Sequence, residues 1–362
     1  MFTIEMLEAN EGDALWIEYG DPGRPHRMLI DCGYKSTYRQ VLKRFDADPK
    51  LRLELFVLTH IDGDHIAGSV PFISDARITK TNVREVWFNS RNHLGDKMGA
   101  EQAEYFTHHL VDKGFAWNKK FGGQSVVIED RAALAVHEFA GLKLTLLSPT
   151  RRELRELARN WDTELERVMK GKNVKSVKDL VAIGSPTLAP DRMGDKPNVA
   201  KLAATEFDPD PEKPNGSSIA FLAEFKDNFD GGREKSVLFT GDAHSPVLEE
   251  SIRRLLTDRG QGKLVVDALK LSHHGSKKNT SKDLLHLLTC KHFLFSSNGS
   301  KHEHPDLECV ARVVARKHVG THLYFNYLTD QNKMWKAPSM QMEFRYTAHY
   351  PVSGTPGLVV SI

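Results

Sequence analysis

Residues 59–68 of this 362-residue chain read THIDGDHIAG, which places two histidines and two aspartates within six positions. The stretch overlaps residues 53–60, LELFVLTH, whose nearly continuous apolar run is typical of a strand buried on both faces. The polar residues therefore lie at the carboxyl end of a strand, where Gly63 gives the backbone the freedom to turn tightly. On so tight a turn, four side chains can face one common centre.

The chemistry of these four side chains suits a pair of metal ions. Imidazole and carboxylate ligands together bind zinc, manganese or iron, and two adjacent ions explain the crowding. The alternative is a polar turn in which Asp64 caps the helix that begins near Ile66. Capping needs no histidine, so the two histidines favour the metal interpretation. The four candidate ligands are His60, Asp62, Asp64 and His65.

Two further strand ends carry residues of the same types. Residues 239–244, FTGDAH, place Asp242 directly after one apolar run, and residues 270–276, KLSHHGS, place His273 and His274 after another. Because sites in open α/β sheets gather at the carboxyl ends of strands, these side chains are expected to converge with the turn at 59–68. Taken singly, Asp242 reads as a turn residue and the histidine pair as structural. Their joint occurrence favours a metal centre.

Composition narrows the class of protein. The 50 basic and 48 acidic residues give a net charge of +2, too small for the electrostatic footprint of a protein that binds extended duplexes. A small phosphate-bearing substrate is compatible with that charge. The three cysteines, Cys32, Cys290 and Cys309, form no CxxC pair, which disfavours disulfides and a thiolate zinc site and suits a reducing cytoplasm.

The start of the chain predicts no secretory leader. Residues 1–13, MFTIEMLEANEGD, carry acids where a signal peptide carries a basic region and an apolar core. No later run approaches about 18 apolar residues, the length that spans a membrane. We therefore expect a soluble cytoplasmic protein without a membrane partner.

Strand-like runs alternate with helical patterns along the chain, which predicts an α/β fold. After Pro149, a charged helix over 151–172 leads into residues 171–214, which are rich in Lys, Pro and Asp and have little periodicity. Residues 150–214 are therefore expected to form an insertion or lid. Helices are also predicted at 36–45, 100–114, 246–260 and 307–317. Strands are predicted at 2–9, 13–20, 27–33, 53–60, 83–89, 125–130, 141–149, 217–225, 236–243, 264–273, 292–297, 321–328, 340–347 and 357–362.

Several segments, in this order, resemble the metallo-β-lactamase fold superfamily and cover the chain nearly end to end. The HxDxDH form with SHHGS and a late HP resembles the branch that contains the hydrolase domain of the competence protein ComEC, with phosphorylcholine esterase a more distant relative. The resemblance implies that superfamily's αββα sandwich, as one domain over 1–362 with the 150–214 insertion inside it. The segments are NEGDALWIEYG, LIDCG, THIDGDHIAG, FTGDA, LKLSHHGS and the late His304-Pro305.

The resemblance also implies two divalent metal ions, zinc or manganese, with a hydroxide between them as the nucleophile. Asp242 would bridge the two ions and cancel part of their repulsion. The first ion would have His60 and Asp62 as ligands, and the second would have Asp64, His65 and His273.

The remaining candidates are expected to orient these ligands or to contact substrate. Asp31 would accept a hydrogen bond from a ligand imidazole, with an ordinary strand-end turn as the alternative. Asp64 and His304 are the expected catalytic residues, since the late histidine of the family reaches a phosphate oxygen or protonates a leaving group. The other candidates, of which Lys277 reads equally as a solvated surface residue, are Ser218, His274, Lys277, Ser297, Asn298 and His302, the last an alternative to His304.

Two positions depart from the superfamily pattern. Most members carry a histidine where Asp62 stands, so this chain offers a harder oxygen donor that shifts preference towards manganese without excluding zinc. Many members also have a histidine ligand in the form GHTPGSIAF, where this chain reads KPNGSSIAF with Asn215 at that position. The ion bound by His60 and Asp62 is therefore expected to be held more weakly.

The leading functional hypothesis is a metal-dependent phosphodiesterase or nuclease, whose substrate is nucleic acid or a small phosphodiester. Basic residues between Lys172 and Lys201 would then contact a nucleic-acid backbone, although a solvated insertion without function is equally compatible. One alternative is a hydrolase of a carbon ester, lactone or thioester, which the same fold supports elsewhere. Another is a non-catalytic subunit of a multi-protein bacterial system, which the six retained ligands disfavour.

Overall fold

The computed structural model describes residues 1–90, 101–130, 133–159, 197–228, 230–352 and 357–362. The predicted insertion over 150–214 lies outside the described residues from 160 to 196, so its role as a lid stays a prediction, as does the single-domain organisation. Among the helices of the described ranges, none combines the length and the apolar character needed to cross a membrane.

Within the described residues, the first sheet has six strands. Numbered in chain order, they are β1 Phe2–Met6, β2 Leu15–Asp21, β3 Arg24–Ile30, β4 Leu55–Val57, β5 Val86–Trp87 and β14 Leu358–Ser361. Their order across the sheet is β14-β1-β2-β3-β4-β5. Strands β14 and β1 to β3 pair antiparallel, whereas β3, β4 and β5 run parallel. The carboxyl ends of β3 and β4 therefore meet at one edge, from which the turn at 59–62 leaves.

The second sheet has eight strands in the part of the chain that the structure describes. They are β6 Val136–Phe139, β7 Leu142–Ser148, β8 Ala220–Asp227, β9 Arg233–Phe239, β10 Leu264–Lys270, β11 Leu288–Phe295, β12 Thr321–Phe325 and β13 Tyr346–His349. Their order is β13-β12-β11-β10-β9-β8-β7-β6. Strands β6 to β9 pair antiparallel and β9 to β13 run parallel, so β9 and β10 also end at a common edge.

Helices connect and cover the strands. The longest of the described helices, over Ser245–Arg259, has a proline in its first turn and ends at Gly260, whose φ of +62° closes the helix in the left-handed region. In chain order the described helices are α1 Lys35–Ala47, α2 Gly63–Ser74, α3 Glu101–Asp112, α4 151–159, α5 Val199–Ala204, α6 Lys213–Gly216, α7 Ser245–Arg259, α8 Lys282–His286, α9 Leu307–Val314 and α10 Pro338–Phe344.

The two sheets pack face to face through aromatic side chains. Trp87 of β5 lies 6.1 Å from Phe221 of β8 and 5.6 Å from Phe139 of β6, measured between ring centroids. On the outer face of the first sheet, Phe56 of β4 packs edge-on against Phe72 of α2 at 5.1 Å. The apolar side of α7 covers the second sheet, since its buried Leu248 belongs to the same core. The predicted αββα sandwich of the α/β class is confirmed.

One predicted strand is a helix. Residues 340–347, MQMEFRYT, show strand-like alternation of apolar residues, but the structure has α10 over Pro338–Phe344, and β13 begins only at Tyr346. The same residues fit a helix because Met340 and Phe344, four apart, share one face and pack on the core, while Met342 is 80% exposed. Pro338 in the first turn favours the helical start.

Several other predicted strands are shorter, such as 53–60, which is reduced to Leu55–Val57, and one is missing. The strand predicted at 83–89 is reduced to Val86–Trp87. Residues 125–130 make one isolated bridge, between Ile128 and Thr150, instead of a strand. Both apolar runs are nevertheless buried, because Val126 and Ile128 belong to the main core without ladder pairing. Apolar character therefore predicted their burial correctly and their hydrogen bonding incorrectly.

Three histidines and a tyrosine gather on β11 to β13, away from the strand-end turns. The rings of His292 and His322 stack 5.1 Å apart, and Nδ1 of His292 lies 3.0 Å from the Tyr324 hydroxyl. Nδ1 of His322 lies 3.0 Å from Nε2 of His349. Burial lowers the pKa of all three histidines, and with the neighbouring His322 it brings the pKa of His292 to about 4.

We expect this histidine cluster to make the fold acid-sensitive. Because histidine in the unfolded chain has a pKa of about 6.5, above its value in the cluster, acidification protonates the unfolded state first. The free energy of unfolding should therefore fall as the pH drops from about 6.5 towards 4. Urea denaturation at several pH values measures the slope, which His292→Asn should reduce. The exposed His318→Asn is the matched control, and an unchanged slope in His292→Asn would contradict the assignment.

Candidate metal centre

The turn between β4 and α2 carries the first group of candidate ligands. His60 follows the strand, Asp62 is the residue that precedes α2, and Asp64 and His65 lie in its first turn. The loop between β1 and β2 packs closely against this turn, since a Cβ on Gly12 would lie 2.0 Å from the Asp64 carbonyl oxygen. Glycine at position 12 is thus required for the amino-terminal loop to approach the turn.

Four imidazoles surround one carboxylate oxygen. Asp242 follows β9, and its Oδ2 lies 3.8 Å from Nε2 of His60, 3.5 Å from that of His65, 3.9 Å from that of His273 and 3.6 Å from that of His274. These spacings exceed hydrogen-bond distances. They fit donors that share a metal ion, because atoms about 2.0–2.2 Å from a tetrahedral zinc lie roughly 3.4 Å from one another.

Two more carboxylates border this group. Oδ2 of Asp64 lies 3.4 Å from Nε2 of His274 and 3.8 Å from Nε2 of His65. On the other side, Oδ2 of Asp62 lies 3.8 Å from Nε2 of His60. The described sets close enough to hold one ion are His60, His65 and Asp242; Asp64, His65 and His274; Asp13, Asp242 and His274; and Asp13, Asp31 and His65.

The structure groups the tandem histidines differently from the prediction. His273 was expected beside Asp64 and His65, but His274 occupies that place. Both residues adopt left-handed backbone conformations, with φ of +48° and +55°, so their rings stand 72° apart with centroids 5.8 Å from one another. Adjacent side chains thereby point into different parts of the centre, which the sequence HHGS does not reveal.

Several buried atoms of this group have no hydrogen-bond partner among the described residues. They are Nε2 of His60, His65 and His274 and Oδ1 of Asp242. Each unsatisfied buried polar atom costs about 1–3 kcal/mol, so a natural fold rarely collects several in one place unless a ligand satisfies them. The donor set and its missing partners therefore fit divalent metal ions.

Hydrogen bonds at Nδ1, the ring nitrogen that faces away from Asp242, fix the rings of His60 and His65. Asp31, in the turn after β3, accepts from Nδ1 of His65 at 2.8 Å and from the Thr59 amide and hydroxyl at 2.8 and 2.7 Å. The Thr59 hydroxyl also lies 3.0 Å from Nδ1 of His60. Both rings are thus held with Nε2 towards Asp242, an arrangement typical of metal-ligating histidines.

His274 has a comparable support, which the sequence did not single out. Its Nδ1 lies 3.0 Å from the Ser296 carbonyl oxygen and 3.5 Å from Oδ1 of Asp13. Asp13 in turn accepts from Nζ of the fully buried Lys270 at 2.8 Å and from the Ser296 hydroxyl. Asp13 and Lys270 belong to the motifs NEGDALWIEYG and LKLSHHGS, so their motif membership was the available sequence indication.

The candidate ligands differ in protonation state. Burial lowers the pKa of His60 to about 3, which leaves its ring neutral. Burial opposes ionisation of Asp242, but His274, His65 and His273 hold the pKa of that carboxyl well below its usual range. Against burial, Asp242 and Asp13 raise the pKa of His274 to about 10. Protons and metal ions therefore compete for the same sites.

Of the residues expected to contact substrate, His304 lies beside the metal centre, His302 lies beside His304, and Lys277 forms an ion pair. The His304 ring lies 5.2 Å from that of His273, and the His302 ring lies 5.9 Å from that of His304. Lys277 is paired, because its Nζ donates to Glu308 at 2.8 Å.

The remaining candidates make local hydrogen bonds. The Ser297 hydroxyl accepts from the Gly299 amide at 3.1 Å, and the Asn298 amide donates to the Asn10 carbonyl at 2.9 Å, so both stabilise the loop. The Ser218 hydroxyl accepts from the Asp242 amide at 3.2 Å, which fixes the turn that carries the central carboxylate.

Comparison with known proteins finds structural similarity at low sequence identity. No protein-family model and no curated protein sequence matches the chain. Solved structures that resemble it include CmlA, a diiron β-hydroxylase from Streptomyces venezuelae, at 11% identity and a TM-score of 0.42, covering 99% of this chain and 54% of CmlA. This chain thus spans about half the length of CmlA.

Two further solved structures have lower TM-scores. A diphosphatase of the PhnP family has 15% identity and a TM-score of 0.33, with 97% of this chain and 84% of that one covered. The Rm3 metallo-β-lactamase has 10% identity and a TM-score of 0.28, with 74% and 76% covered. Similarities this low carry no information about the activity of this chain.

We expect Asp242→Asn to abolish binding of both metal ions. The substitution keeps the shape of the side chain and removes the charge on the one oxygen that all four imidazoles share. Metal content after dialysis, measured by inductively coupled plasma mass spectrometry, reports the loss. The control is Asp267→Asn, a carboxylate that accepts from the Ser236 amide on β9. Two ions retained in Asp242→Asn would rule out a shared ligand.

The buried pair between Lys270 and Asp13 gives a test of stability. We expect Lys270→Met to lower the free energy of unfolding by about 3–5 kcal/mol, because it removes the ammonium group that compensates the buried Asp13 charge. Lys270→Met combined with Asp13→Asn should cost less, since the buried anion is removed together with its ammonium partner. Urea denaturation in the presence of a chelator measures both. A double variant no more stable than the single one would contradict the pairing.

Proposed function

We propose that this protein is a metal-dependent hydrolase of phosphodiesters, with nuclease activity as the most specific form of the proposal. The observation that carries it is the placement of four imidazole nitrogens 3.5–3.9 Å from the single Asp242 oxygen. Such a donor set suits a pair of zinc or manganese ions.

The ligands divide into two sets that share Asp242. Asp64, His65 and His274 surround one position, and His60 and Asp62 border the other. When bound, two divalent ions polarise a phosphoryl oxygen and make water a nucleophile at neutral pH. The buried hydrogen bonds behind His65 and His274 keep the ligands in place while negative charge develops on the substrate.

Asp64 and His304 have distinct proposed roles. Burial opposes the ionisation of Asp64, but His65 and His274 hold the pKa of its carboxyl well below the usual range, so it stays an acceptor for the attacking water. Burial lowers the pKa of His304, although Asp306 opposes the shift. We place this neutral ring beside the leaving group, where its N–H donates a hydrogen bond to the departing oxygen.

The nature of the donors supports the choice of substrate and metal. Asp62 adds a hard carboxylate oxygen, which favours manganese over softer metal ions. Manganese in turn suits hard ligands such as phosphate oxygens. We further propose that this chain is related to the hydrolase domain of ComEC and that it is located in the cytoplasm. The location is supported by Cys32, Cys290 and Cys309, which are buried free thiols.

A substrate panel tests the function. With manganese, we expect turnover of bis-p-nitrophenyl phosphate to exceed turnover of a nitrophenyl acetate, a lactone and a thioester by at least about tenfold, or about 1.4 kcal/mol in barrier. Faster ester, lactone or thioester hydrolysis would replace the proposal with the carbon-ester alternative. Parallel assays on single- and double-stranded DNA and RNA separate a nuclease from an enzyme for small diesters.

Replacement of His304 tests its role. His304→Ala should lower the rate by roughly 10²–10⁴-fold, as for loss of a proton-transfer or leaving-group contact, while both metal ions remain bound. The exposed His318→Ala serves as the control. If His304→Ala keeps the wild-type rate, His302 is the next candidate and the role of His304 is refuted.

A further inference from the structure

His273 has a polar support of its own, separate from that of His274. Its Nδ1 lies 3.1 Å from Oδ1 of Asn279, 3.3 Å from Nδ2 of Asn215 and 3.4 Å from Oδ2 of Asp210. These three residues, which we call the Asp210 cradle, are buried, with exposures of 0% for Asn279, 2% for Asn215 and 6% for Asp210. They come from two separate stretches of chain and meet only in the fold.

The hydrogen bonds within the cradle decide which nitrogen of His273 carries the proton. Nδ2 of Asn215 and Nδ2 of Asn279 both donate to Oδ2 of Asp210, at 2.7 and 3.0 Å. Nδ2 of Asn279 also donates to the Asp242 carbonyl at 3.1 Å. With its amide group committed, Asn279 presents its carbonyl oxygen to Nδ1 of His273, which must therefore be the N–H. The lone pair is left on Nε2.

Asp210 is itself fixed by the backbone. Its amide donates to the Lys278 carbonyl at 3.2 Å, and its Oδ1 accepts from the Glu212 amide at 3.0 Å. The remaining oxygen, Oδ2, is thus free to face the two asparagines and His273. Oδ2 thus faces only N–H donors, which is the environment of a carboxylate anion.

The free nitrogen of His273 points into the metal centre. Its Nε2 lies 3.9 Å from Oδ2 of Asp242, close to the 3.8 Å from His60 Nε2 to the same oxygen. His274 takes the other side, where its Nε2 lies 3.4 Å from Asp64. The position bordered by Asp64, His65 and His274 already has its imidazoles. The position bordered by His60 and Asp62 has one imidazole, that of His60.

We propose that Nε2 of His273 is a ligand of the metal ion held by His60 and Asp62, and that Asp210 is its positioning residue. Asn215, which offers no imidazole to this ion, then serves it indirectly as a donor to Asp210. With this assignment the first ion has two imidazoles and two carboxylates, whereas the sequence alone predicts a more weakly bound ion. The inference rests on the proposed two-metal centre and is independent of the phosphodiester substrate.

Metal counting on variants of the tandem histidines tests the ligand assignment. After dialysis against zinc or manganese and removal of free metal, wild type should hold two ions, and His273→Ala and His274→Ala should each hold one. His286→Ala, a substitution of an exposed histidine, should hold two. Combining His273→Ala with His60→Ala should leave one ion, since both remove the same site, whereas His274→Ala with His60→Ala should leave none. Two ions in His273→Ala would overturn the inference and assign His273 to the substrate.

The positioning role has its own measurement. Asp210→Asn replaces a carboxylate, which accepts from two asparagine side chains, with an amide that also carries a donor. The asparagines then lose their fixed orientation, and His273 loses its fixed tautomer. We expect about 10–100-fold weaker binding of one ion and unchanged binding of the other, measured by competition with a chromophoric chelator. The absorption spectrum of the cobalt-loaded protein should change in parallel. Asp267→Asn is the control, and wild-type affinities in Asp210→Asn would overturn the positioning role.

These outcomes are separable from those of the proposed function. Metal counts and affinities involve no substrate, so a wild type that holds two ions but cleaves no phosphodiester would refute the proposed activity and leave the ligand assignment standing. Conversely, a phosphodiesterase whose His273→Ala variant keeps both ions would leave the activity standing and refute the assignment. A wild type that binds no second ion would refute the assignment together with the two-metal centre.

Discussion

The Asp242 carboxylate is the group on which the arrangement of this molecule's polar interior depends. It is buried and ionised, and four imidazole nitrogens surround one of its oxygens. Only the face-to-face packing of two sheets brings those rings together, since His60 leaves the first sheet after β4 and the tandem histidines leave the second after β10. The Ile219 amide joins the two layers by donating to the Thr59 carbonyl at 3.0 Å. A site built in this way exists only when the sandwich is complete.

Behind three of the four rings stands a buried carboxylate. Asp31 supports His65, Asp13 supports His274 and Asp210 supports His273, while His60 relies on the Thr59 hydroxyl. Each buried anion is costly to desolvate, and each is compensated by several donors, including the Lys270 ammonium for Asp13. Held from behind, the rings need not reorganise when a cation binds, which increases the affinity of a site.

The strand-end residues could be predicted from sequence because each short motif carries both its strand and its ligands. Of the supporting carboxylates, Asp31 could be predicted from its strand-end motif, whereas Asp13 and Asp210 could not. Asp13 and Lys270 lie 257 positions apart, and no periodicity relates them. Asp210 lies in the loop between α5 and α6, and its contact with Asn279 forms only in the folded chain. The helix at Pro338–Phe344 was missed for a different reason, since Met340 and Phe344 satisfy strand alternation and helical spacing at once.

The backbone at the tandem histidines explains how one strand end can serve two positions. In a continuing strand, successive side chains point to opposite faces, and only one of the two rings would reach the centre. Left-handed φ values at both residues change this, at a cost of about 1–3 kcal/mol for each non-glycine residue. Hydrogen bonds from the His273 amide to Gly241 and from the Ser276 amide to His273 hold the strained turn in place. Both histidines are fixed by partners that lie outside their own segment, so the strain is maintained by the same contacts that orient the rings.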